Sequence, residues 1–442
     1  LFCESIHTVH TDKSIIFAGF NALNFCEKKI FSHFRDNGKA LFYWDYDLYY
    51  LTNENHEAGR YIRENMKLFP NALGLEHFNN FRYNNKHIEY ISVPSVIGQA
   101  KLIPSLLESF HLDSNISPID TAIVLCDEKL LTPVLHSIPD FVKKINITMG
   151  YPARNTAIAA LISMLGDLKH YAKKESTMTY YYYKPVIALL NHELIQPTCP
   201  GEVHRITDYI NTRNIVYVKE KSLQFNEITR TIFSSQEESL PTYLLNVLKK
   251  LLASLPTESQ ANAAIEKEFI FTLYTIIQSI ENTFHEEEIT PDDPFYIRMI
   301  GKILQELSIP FSGEPLEGMQ IMGLMETRML DFKKLILLSV NEGIIPQNSY
   351  SSSFIPYNLR IGFNLPTPEH QDALFAYYFY RLLQRAEQVE LLYANTTKGT
   401  SGGEMSRFLY QIKYESGLQI RETNFQNDIS VQNIPSLTIP KN

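Results

Sequence analysis

Residues 317–346 read EGMQIMGLMETRMLDFKKLILLSVNEGIIP, and the reading of this stretch decides the fold class. A short apolar segment from Met319 to Met325 meets a polar break at Glu326-Thr327-Arg328. Leu330-Asp331-Phe332 follows, then the apolar run Leu335 to Val340, closed by Asn341-Glu342-Gly343. A run this short, rich in Leu, Ile and Val at consecutive positions, is expected to be a strand buried on both faces, in the middle of a parallel sheet. The Asn-Glu-Gly turn then falls at the strand's carboxyl end, where open α/β sheets bind their ligands.

The flanks extend this reading. Residues 14–20 (SIIFAGF) form a strand, residues 25–34 an amphipathic helix stopped by Asn37-Gly38, and residues 39–44 a second strand, which together make a βαβ unit. Strands at 87–93, 122–126 and 145–149 alternate with helices at 95–110 and 128 to about 136, so a second parallel sheet is expected. Between residue 155 and about 310 the strand signal fades, and helical periods dominate at 155–171, 184–195, 240–255, 265–284 and 295–307. The stripe Leu244, Val247, Leu248, Leu251, Leu252 and Leu255 reads as core. Tyr180 to Tyr183, followed by Lys184, has the residue types that stack on single-stranded bases; an aromatic strand or helix entry buried in this region is the alternative. Residues 346–368 read as a Ser/Asn/Pro-rich loop, 369–389 as a long helix and 390–394 as a strand.

Composition narrows the function. The 442 residues suffice for two or three domains, and 44% apolar with 20% charged residues is the balance of a soluble globular protein. A formal net charge of −9 supplies no global field for a polyanion, so any DNA contact must be a local groove. Cys3, Cys26, Cys126 and Cys199 have no CxxC spacing and read as buried free thiols in a reducing cytoplasm. No apolar run reaches the roughly 20 residues that span a bilayer, so no membrane partner is expected. Leu1-Phe2-Cys3 has neither an initiator Met nor the order of a signal peptide, and the chain reads as a piece excised from a longer protein. Neither GxxxxGK[ST] nor a zinc spacing occurs, and no catalytic residue or metal ligand set stands out. Asp45 and Asp47 close the strand at 39–44; with no third ligand in sight they read as a solvated strand end or helix start. Ser401-Gly402-Gly403 reads as a flexible loop rather than a phosphate cradle.

Residues 317–346 and 369–409 also carry a resemblance to the AddB/RecB-like branch of superfamily 1, the recombinational-repair helicase–nucleases with a C-terminal PD-(D/E)xK domain. Residues 327–332 occupy the family's SKGLEF place in motif V, and residues 341–346 its GxFP turn. Residues 380–386 and 390–394 resemble motif VI, and Ser406-Arg407-Phe408-Leu409 the SRFL segment. The resemblance implies RecA-like parallel sheets with a large all-helical insertion. Residues 1–85 would be the end of the first RecA-like domain, 86–154 and 313–425 the two segments of the second, 155–312 the insertion, and 426–442 a linker toward a nuclease domain. It places Arg385 and Arg328 at nucleotide phosphates, and Thr327, Asn341, Glu342 and Arg407 at DNA. Arg385 has a structural alternative, a salt bridge with Glu387 or Glu390 at the helix end. The family's cofactors are ATP and Mg²⁺, and its partners are DNA and a companion helicase–nuclease subunit.

This sequence departs from that pattern. Gly19-Phe20 stands where the family's Mg²⁺-binding Asp-Glu pair ends a strand, Met325 stands for the motif's His, and Met329 for its Gly. The expectation is a degenerate helicase-like region that grips DNA and positions the nuclease. The alternatives are a working motor whose P-loop lies upstream, and a protein-interaction scaffold for a partner subunit.

Overall fold

The computed structural model describes residues 11–74, 77–82, 86–111, 118–175, 178–234, 239–255, 261–310, 317–347, 354–395 and 403–425. The expected linker at 426–442, Cys3, and Ser401-Gly402 lie outside them. The chain is mixed α/β and forms two compact units: one from residues 1–149 and 312–442, the other from the continuous stretch 150–311.

Lys334–Leu338 is the central strand of the first unit. All five of its residues are buried, and parallel neighbours flank it on both sides, Thr121–Leu125 and Gln388–Ala394. Seven parallel strands form the sheet, in the order Ile420–Asn424, His87–Val93, Gln388–Ala394, Lys334–Leu338, Thr121–Leu125, Met319–Gly323, Ile145–Ile147. Parallel strands need crossovers, and the helices Val96–His111 and Pro368–Leu383 provide two of them. The second packs its aromatic residues into one continuous core with Leu335, Leu337 and Val389. It ends where the buried Lys86 ammonium donates to the carbonyls of Leu383 and Gln384, a cation at a helix C-terminus. The expected helix at 369–389 is therefore shorter, and the following strand starts at Gln388.

Ile15–Ala18 and Ala40–Tyr43 form a separate parallel pair joined by the helix Phe25–Asp36. Asn24 caps that helix in a box with Glu27, and Asn37 and Gly38 (φ +65°) end it. Phe31 and Phe34 face the core while Phe25 is exposed, so only part of the expected apolar side is buried.

The second unit corrects the all-helical expectation. Helices, among them Ala157–His170, Leu240–Ser254 and Ala261–Glu286, do supply most of its core. Of the stripe, Leu244, Val247, Leu248 and Leu251 are buried, each contributing about 1.5–3 kcal/mol, while Leu252 and Leu255 are half-buried. Yet Lys173–Glu175, Met178–Tyr182 and Tyr217–Lys219 form an antiparallel three-stranded sheet, and Gly150–Pro152 pairs with Ser308–Pro310. Their polar composition (KKE, YVK) hides them from a search for apolar runs. Among the described cysteines Cys199 is buried, Cys126 is half-buried, and Cys26 is exposed, against the expectation for that thiol.

Candidate functional site, a closed charge cluster at the sheet's amino end

Tyr43 ends the second strand of the small pair, and the chain turns through Trp44, Asp45, Tyr46 and Asp47. Asp47 is buried and structural. One of its oxygens caps the helix Leu48–Leu51 at the N–H of Tyr49 (2.9 Å), and the other accepts from the N–H groups of Asn80 (2.7 Å) and Phe81 (2.9 Å). Asp45 has a different role. It is buried, not a solvated strand end, and faces the last turn of the helix Pro368–Leu383.

Asp45 accepts from Arg381 Nε (2.9 Å), from both Arg385 guanidinium nitrogens (3.1 and 2.8 Å) and from the Gln384 amide (2.9 Å). Asp331 completes the cluster, meeting Arg381 at 3.0 Å and Arg385 at 3.2 Å. Arg381 also donates to the Leu330 carbonyl, and Gln384 accepts from the Tyr50 hydroxyl (3.0 Å). Two carboxylates thus match two guanidiniums, with an amide and a phenol closing the edge. Arg385's partners are Asp45 and Asp331, not Glu387 or Glu390. Asp45 and Asp331 lie far away in sequence, so no local pattern announces the pairing.

Burial alone would raise the Asp45 carboxyl; the Arg385 hydrogen bond, the charges of Arg381 and Arg385 and the Gln384 amide outweigh it and hold the group below its ordinary value. On Arg385, burial works against the charge, but the bonds to Asp45 and Asp331 prevail and raise its pKa. Arg385 is therefore held charged, and both arginines are already paired with carboxylates.

Residues 324–333 link Met319–Gly323 to the central strand and pass alongside the same helix. Arg328 lies over the Tyr378 ring (5.0 Å), and Leu330 and Asp331 engage Arg381 and Arg385. Thr327 is buried, and its hydroxyl donates to the Leu324 carbonyl (2.7 Å). Met329 adopts φ +59°, a left-handed conformation that suits glycine. Gly19 (φ +79°), at the end of Ile15–Ala18, faces it: a Cβ on Gly19 would lie 3.1 Å from Met329 Cγ. The thioether side chain thus occupies the space a side chain at position 19 would need.

The remaining sequence-derived residues lie at the opposite end of the sheet. The Asn341 amide donates to the carbonyls of Ala394 (2.8 Å) and Glu404 (3.0 Å) and accepts from Ala394 N–H (3.0 Å). Glu342 accepts from the backbone N–H (2.9 Å) and Nε (2.8 Å) of Arg407, whose guanidinium also lies 3.6 Å from Asp372. Ser406 caps the helix Arg407–Glu415 and donates to the Ile345 carbonyl. The six residues therefore fall in two places. Arg385, Arg328 and Thr327 line the helix Pro368–Leu383, while Asn341, Glu342 and Arg407 brace the turn after the central strand. All six are engaged within the chain.

Missed by the sequence reading as site residues were Arg381, one helical turn before Arg385, Gln384, directly before it, and Tyr50, five residues after Asp45. No protein-family model matches the chain, and no curated protein matches it.

Proposed function

We propose that this chain is a degenerate helicase-like region of RecA-like architecture from a DNA double-strand-break repair helicase–nuclease, and that it grips DNA and positions a nuclease domain without itself hydrolysing ATP. One observation carries the reading: the two arginines that the resemblance assigns to nucleotide phosphates are engaged within the chain, Arg328 over the Tyr378 ring and Arg385 in an ion-pair cluster. Arg385 is held by Asp45 and Asp331, and Met329 fills the space over Gly19. Two features support the kinship itself. The central strand is buried on both faces and followed by the Asn-Glu-Gly turn, and the residue at the motif's glycine position keeps a positive φ.

These residues do not fit a magnesium triphosphate. Gly19 and Phe20 offer no side-chain oxygen for a hard cation, and a thioether is a poor ligand for one. The guanidiniums bring no net positive charge to a phosphate, since two carboxylates already balance them.

ATP hydrolysis by the longest reading frame that contains this chain, with and without single-stranded DNA, tests the proposal. The expected result is no DNA-stimulated turnover that depends on Arg385. Stimulated hydrolysis abolished by Arg385→Ala would establish a working motor instead. A second reading, an interaction scaffold for a partner helicase subunit, is favoured by the segment around the short helix Tyr357–Gly362. There Phe354, Leu359, Ile361 and Phe363 are all exposed.

A further inference from the structure

The antiparallel sheet of the unit 150–311 has two chemically different faces. Tyr181 and Val218, cross-strand partners, are buried against the helices, and the Tyr181 hydroxyl donates to the Ser234 carbonyl (3.1 Å). Residues directly opposite in an antiparallel sheet share a face, and neighbours along a strand alternate. The other face therefore carries Lys173, Tyr180 and Lys219 in one row, and Tyr182 beside Tyr217 in the next. Tyr180, Tyr182 and Tyr217 are half-buried, and both lysines are exposed.

The rings are spaced as a platform. Tyr182 lies 5.8 Å from Tyr217 and 6.0 Å from Tyr171, which is half exposed. Lys173 Nζ sits 4.2 Å above the Tyr217 ring. Lys173 and Lys219 make no ion pair among the described residues; Glu175, beside Met178, is the carboxylate on this face.

We propose that this face binds single-stranded nucleic acid, with Tyr182, Tyr217 and Tyr180 stacking on bases and Lys173 and Lys219 meeting the phosphates. The alternation of amphipathic rings and unpaired cations on an open sheet suits that ligand: every base presents a π-face, and the flanking charges follow the backbone. An apolar peptide or lipid surface gains little from this face, since lysines border its rings. A chain of net charge −9 needs such a local positive surface to hold a polyanion at all. The inference deepens the DNA-gripping reading and rests on it.

The test is fluorescence anisotropy of labelled oligo-dT and oligo-rU with the full chain. The wild type is expected to bind with an affinity that falls with salt. Tyr182→Ala with Tyr217→Ala is expected to weaken binding about tenfold or more, the scale of one to two lost stacking contacts. Tyr182→Phe with Tyr217→Phe keeps the rings and is expected to bind like wild type. Lys173→Gln with Lys219→Gln is expected to reduce the slope of log K against log salt by about 1.4. The Gln variant decides the matter if the alanine variant unfolds. Wild-type binding that the Gln variant, and the alanine variant where it folds, leave unchanged overturns this surface and leaves the DNA-gripping reading standing. Absence of salt-dependent binding by the wild type overturns both.

Discussion

Asp45 sets the character of the charge cluster. Its side chain is 10% exposed and that of Arg381 3%, so the pair is shielded from water and salt. Breaking such a pair from one side leaves charge buried without a partner. Asp45→Asn is expected to cost about 3–5 kcal/mol in urea unfolding, and Asp45→Asn with Arg385→Gln to recover part of the loss. A loss below about 1 kcal/mol would mean the cluster is far more solvated than its burial implies. The pH dependence has two windows of opposite sign. The Asp45 carboxyl titrates below its ordinary 3.8, so between its folded value and 3.8 the unfolded chain binds more protons. Its contribution is therefore complete above 3.8 and lost as pH falls through the folded value. Glu390 behaves inversely. Burial, reinforced by the neighbouring Glu89 charge and opposed by Arg421, pushes it up to about 7 from 4.5. Between those values the folded chain binds more protons, so stability falls as pH rises. Glu390→Gln is expected to flatten that slope and to be more stable than wild type at pH 8 by about 2 kcal/mol. An unchanged slope would refute the assignment.

Elements were legible in proportion to how far local pattern decides them. Four consecutive apolar residues, Leu335 to Leu338, announced the central strand, because a strand covered on both faces does not alternate apolar with polar positions. Leu337→Ala, fully buried in that strand, is expected to cost about 2–5 kcal/mol in the same unfolding experiment. A smaller effect would put the strand at an edge. The turn that follows was read as a ligand loop, and its side chains instead clasp the next strand and the start of Arg407–Glu415. Hydrophobic periodicity had no means of anticipating that. Lys173–Glu175 was missed for the opposite reason, since a strand whose three residues are all charged and exposed resembles a loop. The helix Pro200–Thr212 was missed as well, its buried positions reduced to Val203, Ile206 and Ile210. Most of the α/β frame was thus readable. The candidate site was not, because Asp45 and Arg385 are brought together by folding rather than by spacing.

At the scale of the molecule, the unit with the seven-stranded sheet carries the closed cluster of Asp45, Asp331, Arg381 and Arg385, and the unit 150–311 carries the aromatic-basic sheet face. On the proposed reading, this distribution serves to hold nucleic acid without a nucleotide cycle. With a net charge of −9, the proposed binding would rest on a few local phosphate contacts, with a modest but real salt dependence. The most direct measurement is the affinity of the chain for single-stranded DNA across a salt titration, repeated with saturating Mg²⁺–ATP. The account predicts a negative slope of log K against log salt and superimposable curves with and without nucleotide. A slope of zero, or an affinity that shifts when Mg²⁺–ATP is added, would contradict it.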